Sequence, residues 1–523
     1  MKNTYYRPKW TGGRYRKTKK GDDWAIVNNL LEGISYLFKD GSAKIIGEIL
    51  KVTKGEDIDL ITIKKTVAAD FSNEDFFNFI SQICDVGIVS NYRFSDAEFK
   101  IIRKKVGDKR RHEKATIVQE VQEKLPFIRS SSEDDYMFML EEEDVPFAVI
   151  LETTYNCNEK CVHCFNPGAA RNDEEKSQRN NREEIDIKHY EKLLDELKEL
   201  GVPKIILTGG DPFVKKDIWK LIELIYERDF FFDLYTNGLG LLGRCEKLAE
   251  FFPQSVGLSI YSGVDEDHNS ITRVPNSLQK SLKCAEELAI LGVPLYFKTP
   301  LMKNNVTSYY TLHDLAKKYG AIVQIDVTLT DSVDGDSAIT EQLQIDGELL
   351  EIVLRDPEIP LYVGPEAPEY GKAERDKDAA FCGAGTNIMS ITPEGDITPC
   401  NSFPTQFGNL KENSFINVWK KNQALTSWKT IKIQDYDECG THDRCSFCNR
   451  CPGQSFIEHG NPLQASVANC NSANARMELA NKLQAGIDPL KGKTFQERLQ
   501  EIEVEKKTIT KNMKNNFRNS KLI

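Results

Sequence analysis

The chain has no apolar run long enough to cross a bilayer. Its start is basic from Lys2 to Lys20 but lacks the apolar stretch of a secretion signal, so it reads as a solvated tail. Positive charge is not in excess either. A net charge of -11 argues against general affinity for nucleic acid. The segment Gly238-Leu239-Gly240-Leu241-Leu242-Gly243 spells a dinucleotide fingerprint, but no acidic residue ends the next strand, since Ser255 to Ser262 contains none. These absences leave a cytosolic protein with no membrane and no nucleic acid among its partners. At 523 residues, with 28% charged and 40% hydrophobic, it should hold more than one domain.

Cysteine, by contrast, is plentiful. Ten of the 13 cysteines fall in two fields of short spacing. In a large chain without a secretion signal that pattern favours metal over disulfides, in an oxygen-poor setting. The other three, Cys84, Cys245 and Cys284, sit in helical apolar patterns such as Phe77-Ile80-Cys84 and read as core.

The first field is Cys157-x3-Cys161-x2-Cys164. It lacks a fourth thiolate. Three thiolates on one loop can hold three irons of a four-iron four-sulfur cluster and leave one iron open, which suits redox chemistry. A structural zinc site usually wants four ligands in paired C-x2-C knuckles, and unconnected core thiols are the other plain alternative.

The middle of the chain alternates strand and helix signals. Strands are expected at Phe147–Thr154, Lys204–Leu207, Phe230–Tyr235, Ser255–Ile260, Leu295–Thr299 and Ala321–Val327. Helices are expected at Ile187–Leu200, Ile218–Tyr226, Arg244–Phe252, Leu278–Leu291 and Tyr309–Lys318. This predicts an α/β fold, a partial (β/α)6 barrel of parallel strands with the helices outside. Chemistry in such barrels sits at the strand C-termini, where the cysteine loop falls.

The cysteine spacing resembles that of the radical SAM enzymes. The resemblance implies that S-adenosyl-L-methionine chelates the open iron and is cleaved to a 5'-deoxyadenosyl radical. Thr208-Gly209-Gly210-Asp211-Pro212 resembles the family's Gly-Gly-Glu-Pro, with Asp in place of Glu. It implies a backbone that receives the SAM amino group, where glycine permits close approach. Tyr235-Thr236-Asn237-Gly238 follows the third strand, and Asn237 joins the implied SAM contacts. Ser259-Ile260-Tyr261-Ser262, then His268 and Arg273, resembles a segment whose Ser and Arg bind the SAM ribose and carboxylate. Those roles pass to Ser259 and Arg273. A capping serine and a surface arginine are the alternatives.

The second field holds Cys382, Cys400, Cys439, Cys445, Cys448, Cys451 and Cys470. Its opening, Cys382-x12-Gly395-x4-Cys400, with Gly408-Asn409 and Trp419 beyond, resembles the SPASM domain, which holds two auxiliary iron-sulfur clusters. The central C-x5-C-x2-C-x2-C departs from the family order. The resemblance implies three 4Fe-4S clusters in all. By chain order, Cys382, Cys400 and Cys451 would hold the first auxiliary cluster, and Cys439, Cys445, Cys448 and Cys470 the second. Seven thiolates are one short of the eight two cubanes need, so a substrate thiolate could complete one iron. A zinc ribbon at Cys445-x2-Cys448 is the alternative.

Residues 24–102 form a separate unit: strands at Ala25–Leu30, Ile34–Phe38 and Gly87–Ser90, helices at Ala43–Leu50, Ile61–Phe71 and Glu74–Ile83. The pattern resembles the winged-helix domain, similar to the pyrroloquinoline quinone chaperone, that binds leader peptides by adding a strand to a sheet edge. A DNA-binding or purely structural winged helix is the alternative; Glu56, Glu74, Asp75 and Asp85 make DNA the poorer fit. The remaining boundaries are a basic tail at 1–23, a linker at 103–143 broken at Ser130-Ser131-Ser132, the barrel at 144–335 and a bridge at 336–380. The SPASM field spans 381–475, and a helical or disordered tail spans 476–523, with only positive charge from Lys506 to Lys521.

Together these resemblances imply a radical SAM/SPASM peptide maturase. It would act on a ribosomally made precursor with a leader, and take electrons from a flavodoxin or ferredoxin. The open auxiliary iron favours a thioether crosslink; a carbon–carbon crosslink is the close alternative, and epimerisation fits less well. Asn401, where sulfatase-maturing relatives carry Asp, argues against that chemistry. A reading from another class is an iron-sulfur redox sensor with a winged-helix DNA reader.

Overall fold

The computed structural model describes residues 4–112, 133–166, 183–333, 337–359, 362–364, 378, 380, 382–436, 439, 442–448 and 450–504. The expected basic tail is its first correction. Two strands lie there, β1 (Tyr5–Tyr6) and β2 (Thr11–Lys17). β2 pairs antiparallel with β3 (Asp23–Asn29), which pairs with β4 (Ile34–Lys39). Arg7 and Arg14 are buried because the barrel supplies acceptors for them, while Lys9, Lys17, Lys19 and Lys20 stay exposed. Arg14 Nε donates to the Val202 carbonyl at 2.9 Å, and its Nη1 to Arg228 O at 2.9 Å. Arg7 Nη2 meets Asp229 Oδ1 at 2.5 Å, and Lys54 Nζ lies 3.2 Å from the same oxygen. Burial alone would raise the Asp229 pKa, but Lys54 and Arg7 hold it below its ordinary value. Residues read as solvated thus dock the small domain on the barrel.

β4 leads into helices Asp40–Lys51, Leu60–Thr66 and Asn73–Asp85, with β5 (Asp57–Ile58) between the first two, paired to β1. The second helix is shorter than its apolar spacing suggests. The expected strand Gly87–Ser90 is reduced to one bridge, Tyr6 to Ser90.

The barrel strands are β6 (Ala148–Glu152), β7 (Lys204–Thr208), β8 (Phe231–Thr236), β9 (Ser255–Ser259), β10 (Leu295–Pro300) and β11 (Ala321–Asp326). They are parallel neighbours in chain order, as expected. β6 is buried along its whole length, the mark of a parallel strand covered on both faces. Helix Ile187–Leu200 shows how the outer layer forms. Asp186 caps it by accepting from Lys188 N and His189 N, and Gly201 ends it at φ 94°. Its Leu193, Leu194, Leu197 and Leu200 recur at helical spacing and are buried, each contributing about 1.5–3 kcal/mol.

The barrel and the SPASM field share one sheet. β12 (Ile388–Ile391) pairs parallel with β6, and β13 (Asp396–Thr398) and β14 (Gly408–Asn409) continue antiparallel, giving nine strands. Helix Val467–Gln484 runs across the expected boundary at 475, and residues 495–504 are helical. The Ser130-Ser131-Ser132 break and the Lys506–Lys521 run lie outside the described residues, whereas the first part of the bridge holds two short helices, Ala338–Leu343 and Gly347–Val353.

Candidate active site

Parallel strands bring their C-terminal ends to one side. Glu152, Thr208, Thr236 and Ser259 close β6 to β9 there. The cysteine loop follows β6 directly. Lys160 N donates to Thr272 O at 3.0 Å and Val162 N to Ile271 O at 3.0 Å, which ties the loop to the segment after β9.

The two glycines after β7 have a packing reason. A Cβ on Gly209 would lie 2.3 Å from Thr154 O, and one on Gly210 2.2 Å from Asn156 O. Only glycine lets the two loops touch, and Gly209 also holds φ 138°. Asp211 also serves the fold. Its carboxylate is fully buried and takes Thr236 Oγ1 at 2.6 Å, Asn237 N at 3.0 Å and Phe213 N at 2.9 Å. It joins β7 to β8, and its charge is felt at Cys157 and Glu159 of the cysteine loop. Burial raises its pKa against those three donors.

Asn237 reaches the cysteine loop, with Nδ2 3.6 Å from Cys157 Sγ and 2.5 Å from Asn158 Oδ1. The Gly-rich turn therefore delivers a side chain to the first cysteine. Ser259 bonds to the Tyr261 hydroxyl, and that hydroxyl lies 3.6 Å from Cys161 Sγ. Arg273 is exposed, in the left-handed region at φ 56°, one residue after the carbonyl that holds Lys160. Thr208 gives its carbonyl to Thr153 N at 2.8 Å.

Burial pushes Cys157 up to about 12 and Cys161 well above the ordinary thiol range, with Cys164 nearby adding to both. Such thiols keep their protons until a metal displaces them. Among the described residues no three His, Cys, Asp or Glu side chains close around a single ion. A four-iron cluster, which takes each thiolate on a different iron, fits thiols that share a neighbourhood without converging. Glu159 N also donates to Cys157 Sγ at 3.4 Å, a bond that favours the deprotonated sulfur.

In the second field the thiols have near neighbours of their own kind. Burial raises Cys400 to about 12, and Cys451 and Cys382 push the same way; Cys451 in turn has Cys382 near it. Burial raises Cys448 to about 11, with Cys470, Cys439 and Cys445 beside it. Tyr436 lies between the groups, near both Cys382 and Cys439. Backbone N–H groups point at sulfur here too: Ala384 N to Cys382 at 3.5 Å, Ser402 N to Cys400 at 3.4 Å and Gln454 N to Cys451 at 3.4 Å.

Two residues near these thiols gave no sequence signal of their own. Glu152, buried at the end of β6, is pushed up to about 8 by burial and then by Glu394, and it neighbours Cys400. Gln454 donates to Asp331 Oδ2 at 2.7 Å and joins the helix after Cys451 to the end of the barrel. Tyr261 stood in a quoted motif without a role; its place two residues beyond Ser259, at a strand end, was the available clue.

Residues 151–309 match the Radical SAM superfamily, and residues 382–452 match SPASM, an iron-sulfur cluster-binding domain. The chain is similar to the PqqA peptide cyclase of Methylobacterium nodulans, 25% identical over 300 residues, covering 54% of this chain and 75% of the relative. The PqqA peptide cyclase of Xanthomonas oryzae is 25% identical over 340 residues, covering 63% and 86%. The AdoMet-dependent heme synthase of Methanosarcina barkeri is 24% identical over 346 residues, covering 61% and 95%. In fold, the chain is similar to Streptococcus suis SuiB bound to its precursor peptide SuiA, with a TM-score of 0.52 at 15% identity, over 89% of this chain and 99% of that one.

Proposed function

We propose that this chain, a radical SAM enzyme with a SPASM domain, crosslinks a ribosomally made precursor peptide, joining a cysteine sulfur to a carbon as a thioether. The observation that carries the reading is the grouping of thiols, three at the strand ends and seven in the second field as three plus four. Cys157, Cys161 and Cys164 would hold the radical cluster, Cys382, Cys400 and Cys451 the first auxiliary cluster, and Cys439, Cys445, Cys448 and Cys470 the second. With S-adenosyl-L-methionine bound, the radical cluster supplies a reductive cleavage that yields a 5'-deoxyadenosyl radical able to abstract hydrogen.

The chain's own residues orient that chemistry. Gly209 and Gly210 shape the wall beside the cysteine loop, and their backbone, with Thr208, is offered to the SAM amino group. Asn237 and Ser259 flank the same opening, and Arg273 reaches it from the rim as a carboxylate partner. Asp211 sets the β7 and β8 turns in register and belongs to the turn offered to S-adenosyl-L-methionine. The group of three thiols leaves one auxiliary coordination position to a precursor cysteine. A metal bound there keeps that sulfur deprotonated at neutral pH.

The N-terminal unit suits leader capture. Among the described residues β4 is an edge strand of the three-stranded sheet, the position at which a leader would add a strand. A recess of about 530 Å³, lined by Leu60, Ile61, Lys64 and Phe77 among others, offers the same domain an apolar contact. A flavodoxin or ferredoxin as electron donor and a cytoplasmic setting complete the reading; among the described residues no helix is long and apolar enough to cross a membrane.

Relatives named as peptide cyclases support a crosslink without choosing its atoms. Carbon–carbon joining is therefore the second reading. The test is anaerobic incubation with the precursor, SAM and reductant, followed by tandem mass spectrometry. A product two hydrogens lighter with its cysteine blocked to alkylation supports the thioether. A lighter product with free cysteines moves the reading to carbon–carbon joining, and an unmodified peptide beside abundant 5'-deoxyadenosine removes the peptide as substrate.

A further inference from the structure

We propose that the Tyr261 hydroxyl donates a hydrogen bond to the Cys161 sulfur and so raises the reduction potential of the cluster held by Cys157, Cys161 and Cys164. This rests on the reading of those three thiols as cluster ligands. The distance from Tyr261 Oη to Cys161 Sγ is 3.6 Å. An iron-bound thiolate has no proton, so the phenol must be the donor.

Tyr261 is held from every side. Its N–H donates to His268 Nδ1 at 3.1 Å, and its carbonyl takes Asn305 Nδ2 at 2.8 Å. Its ring lies between two imidazoles, 4.8 Å from His163 edge-on and 5.4 Å from His268 nearly parallel. Ser259 completes the clamp at the hydroxyl. The residue is 5% exposed, in an apolar group with Ile271, Met302 and Leu329. Water therefore competes little for the sulfur, and a hydrogen bond counts for more in such surroundings.

The direction of the effect follows from charge. Reduction adds one electron to a group whose ligands are already anionic. A donor on a ligand sulfur draws off part of that charge and favours the reduced state; hydrogen bonds to sulfur are among the protein's levers on iron-sulfur potentials. Tyr261 touches only the ligand, so it is a positioning and tuning residue and not a catalytic one. Among the auxiliary thiols, Cys382, Cys400 and Cys451 take backbone N–H donors, which substitution of side chains leaves alone, and Tyr261 lies against the first field. Tyr261 is thus a handle on one cluster of the three.

The experiment is a potentiometric titration of reconstituted enzyme with titanium(III) citrate, followed by electron paramagnetic resonance. The radical cluster is recognised as the signal that SAM perturbs. In Tyr261→Phe its midpoint should fall by about 59 mV, a tenfold harder one-electron reduction, and an exchangeable-proton hyperfine coupling should disappear. The auxiliary midpoints should stay in place. An unmoved radical midpoint, or equal movement of all three, overturns the proposal. If the Phe variant fails to assemble that cluster, 3-fluorotyrosine at position 261 decides, because a stronger donor must move the midpoint upward; no movement overturns it. If the wild type itself has no SAM-perturbed signal, the ligand reading falls and the proposal with it.

Discussion

The two cysteine fields solve the same problem by opposite routes. In the first, all three thiols come from one loop, and distant strands supply the support: Gly210 from β7, Asn237 from β8 and Tyr261 from β9. In the second, the thiols themselves come from several segments, and Cys382, Cys400 and Cys451 each take an N–H two or three residues onward, the local support that Cys157 alone shows in the first, from Glu159. Both routes need a glycine where separated backbones touch. A Cβ on Gly210 would lie 2.2 Å from Asn156 O, just before Cys157, and a Cβ on Gly453 would lie 2.2 Å from Ser402 O, just after Cys400. A compact motif delegates precision to its scaffold, whereas a dispersed one builds precision into each segment.

The largest effect expected from this difference is complete loss on one side only. Replacing Cys157, Cys161 and Cys164 together by Ala should abolish 5'-deoxyadenosine formation while about eight irons, four for each auxiliary cubane, remain bound. Chromatography and iron analysis measure both. Continued 5'-deoxyadenosine formation would falsify the assignment of the loop. Loss of auxiliary iron as well would break the comparison, since β12 and β6 would then transmit damage across the shared sheet.

The two glycines sharpen it. A backbone carbonyl cannot swing away as a side chain can, so Gly210→Ala and Gly453→Ala should each cost about 1–3 kcal/mol, in the range of overpacked sites. Their consequences should differ. Gly210→Ala should remove SAM cleavage and spare auxiliary iron; Gly453→Ala should release iron from the cluster of Cys400 and Cys451 and spare SAM cleavage without peptide. Identical iron losses in the two variants would mean that the fields are one cooperative unit. Thermal melting of the apo-proteins checks the stability cost separately.

This contrast also explains what the sequence made legible. The cysteine loop and the six strand–helix repeats were readable because each is local: short spacing, apolar runs and helical periodicity need no partner to be recognised. The second field was readable as a cysteine field by its short spacings, although its central spacing departs from the order the SPASM resemblance implies. The misses all depend on partners remote in sequence. Arg7 and Arg14 look like a solvated tail until Asp229 and the Val202 carbonyl stand opposite them. β12 looks like part of a separate domain until it meets β6. Asp211 reads only as part of the glycine turn until Thr236 and Asn237 stand opposite it as donors from β8. Ser90 follows a strand-like run, yet only Tyr6 is there to pair with it.

A smaller effect is confined to one auxiliary cluster. On the proposed ligand set, seven thiols for two cubanes would leave one position open in the group of Cys382, Cys400 and Cys451. Adding the precursor should perturb the paramagnetic spectrum of that cluster alone, and a precursor with Ser in place of Cys should leave it unchanged. Equal spectra with both peptides would remove the sulfur-binding role and favour carbon–carbon joining. Perturbation of the fully ligated group instead would reassign the ligands.

The smallest effect separates fold from function at the rim of the first field. Arg273 is exposed and holds φ 56°, a left-handed conformation that costs a non-glycine residue roughly 1 kcal/mol. If its side chain holds the SAM carboxylate, that strain is tolerated because the turn aims the guanidinium across the loop that Thr272 anchors through Lys160. Arg273→Gly should then raise the melting temperature slightly, since glycine adopts this conformation freely, and raise the KM for SAM about tenfold. Arg273→Lys should leave stability unchanged and recover part of the affinity, because an ammonium keeps the charge but not the paired geometry. A stability gain with an unchanged KM in both variants would return Arg273 to the plain surface reading, and the cysteine loop would then rely on Gly209, Gly210, Asn237 and Ser259 for its cofactor contacts.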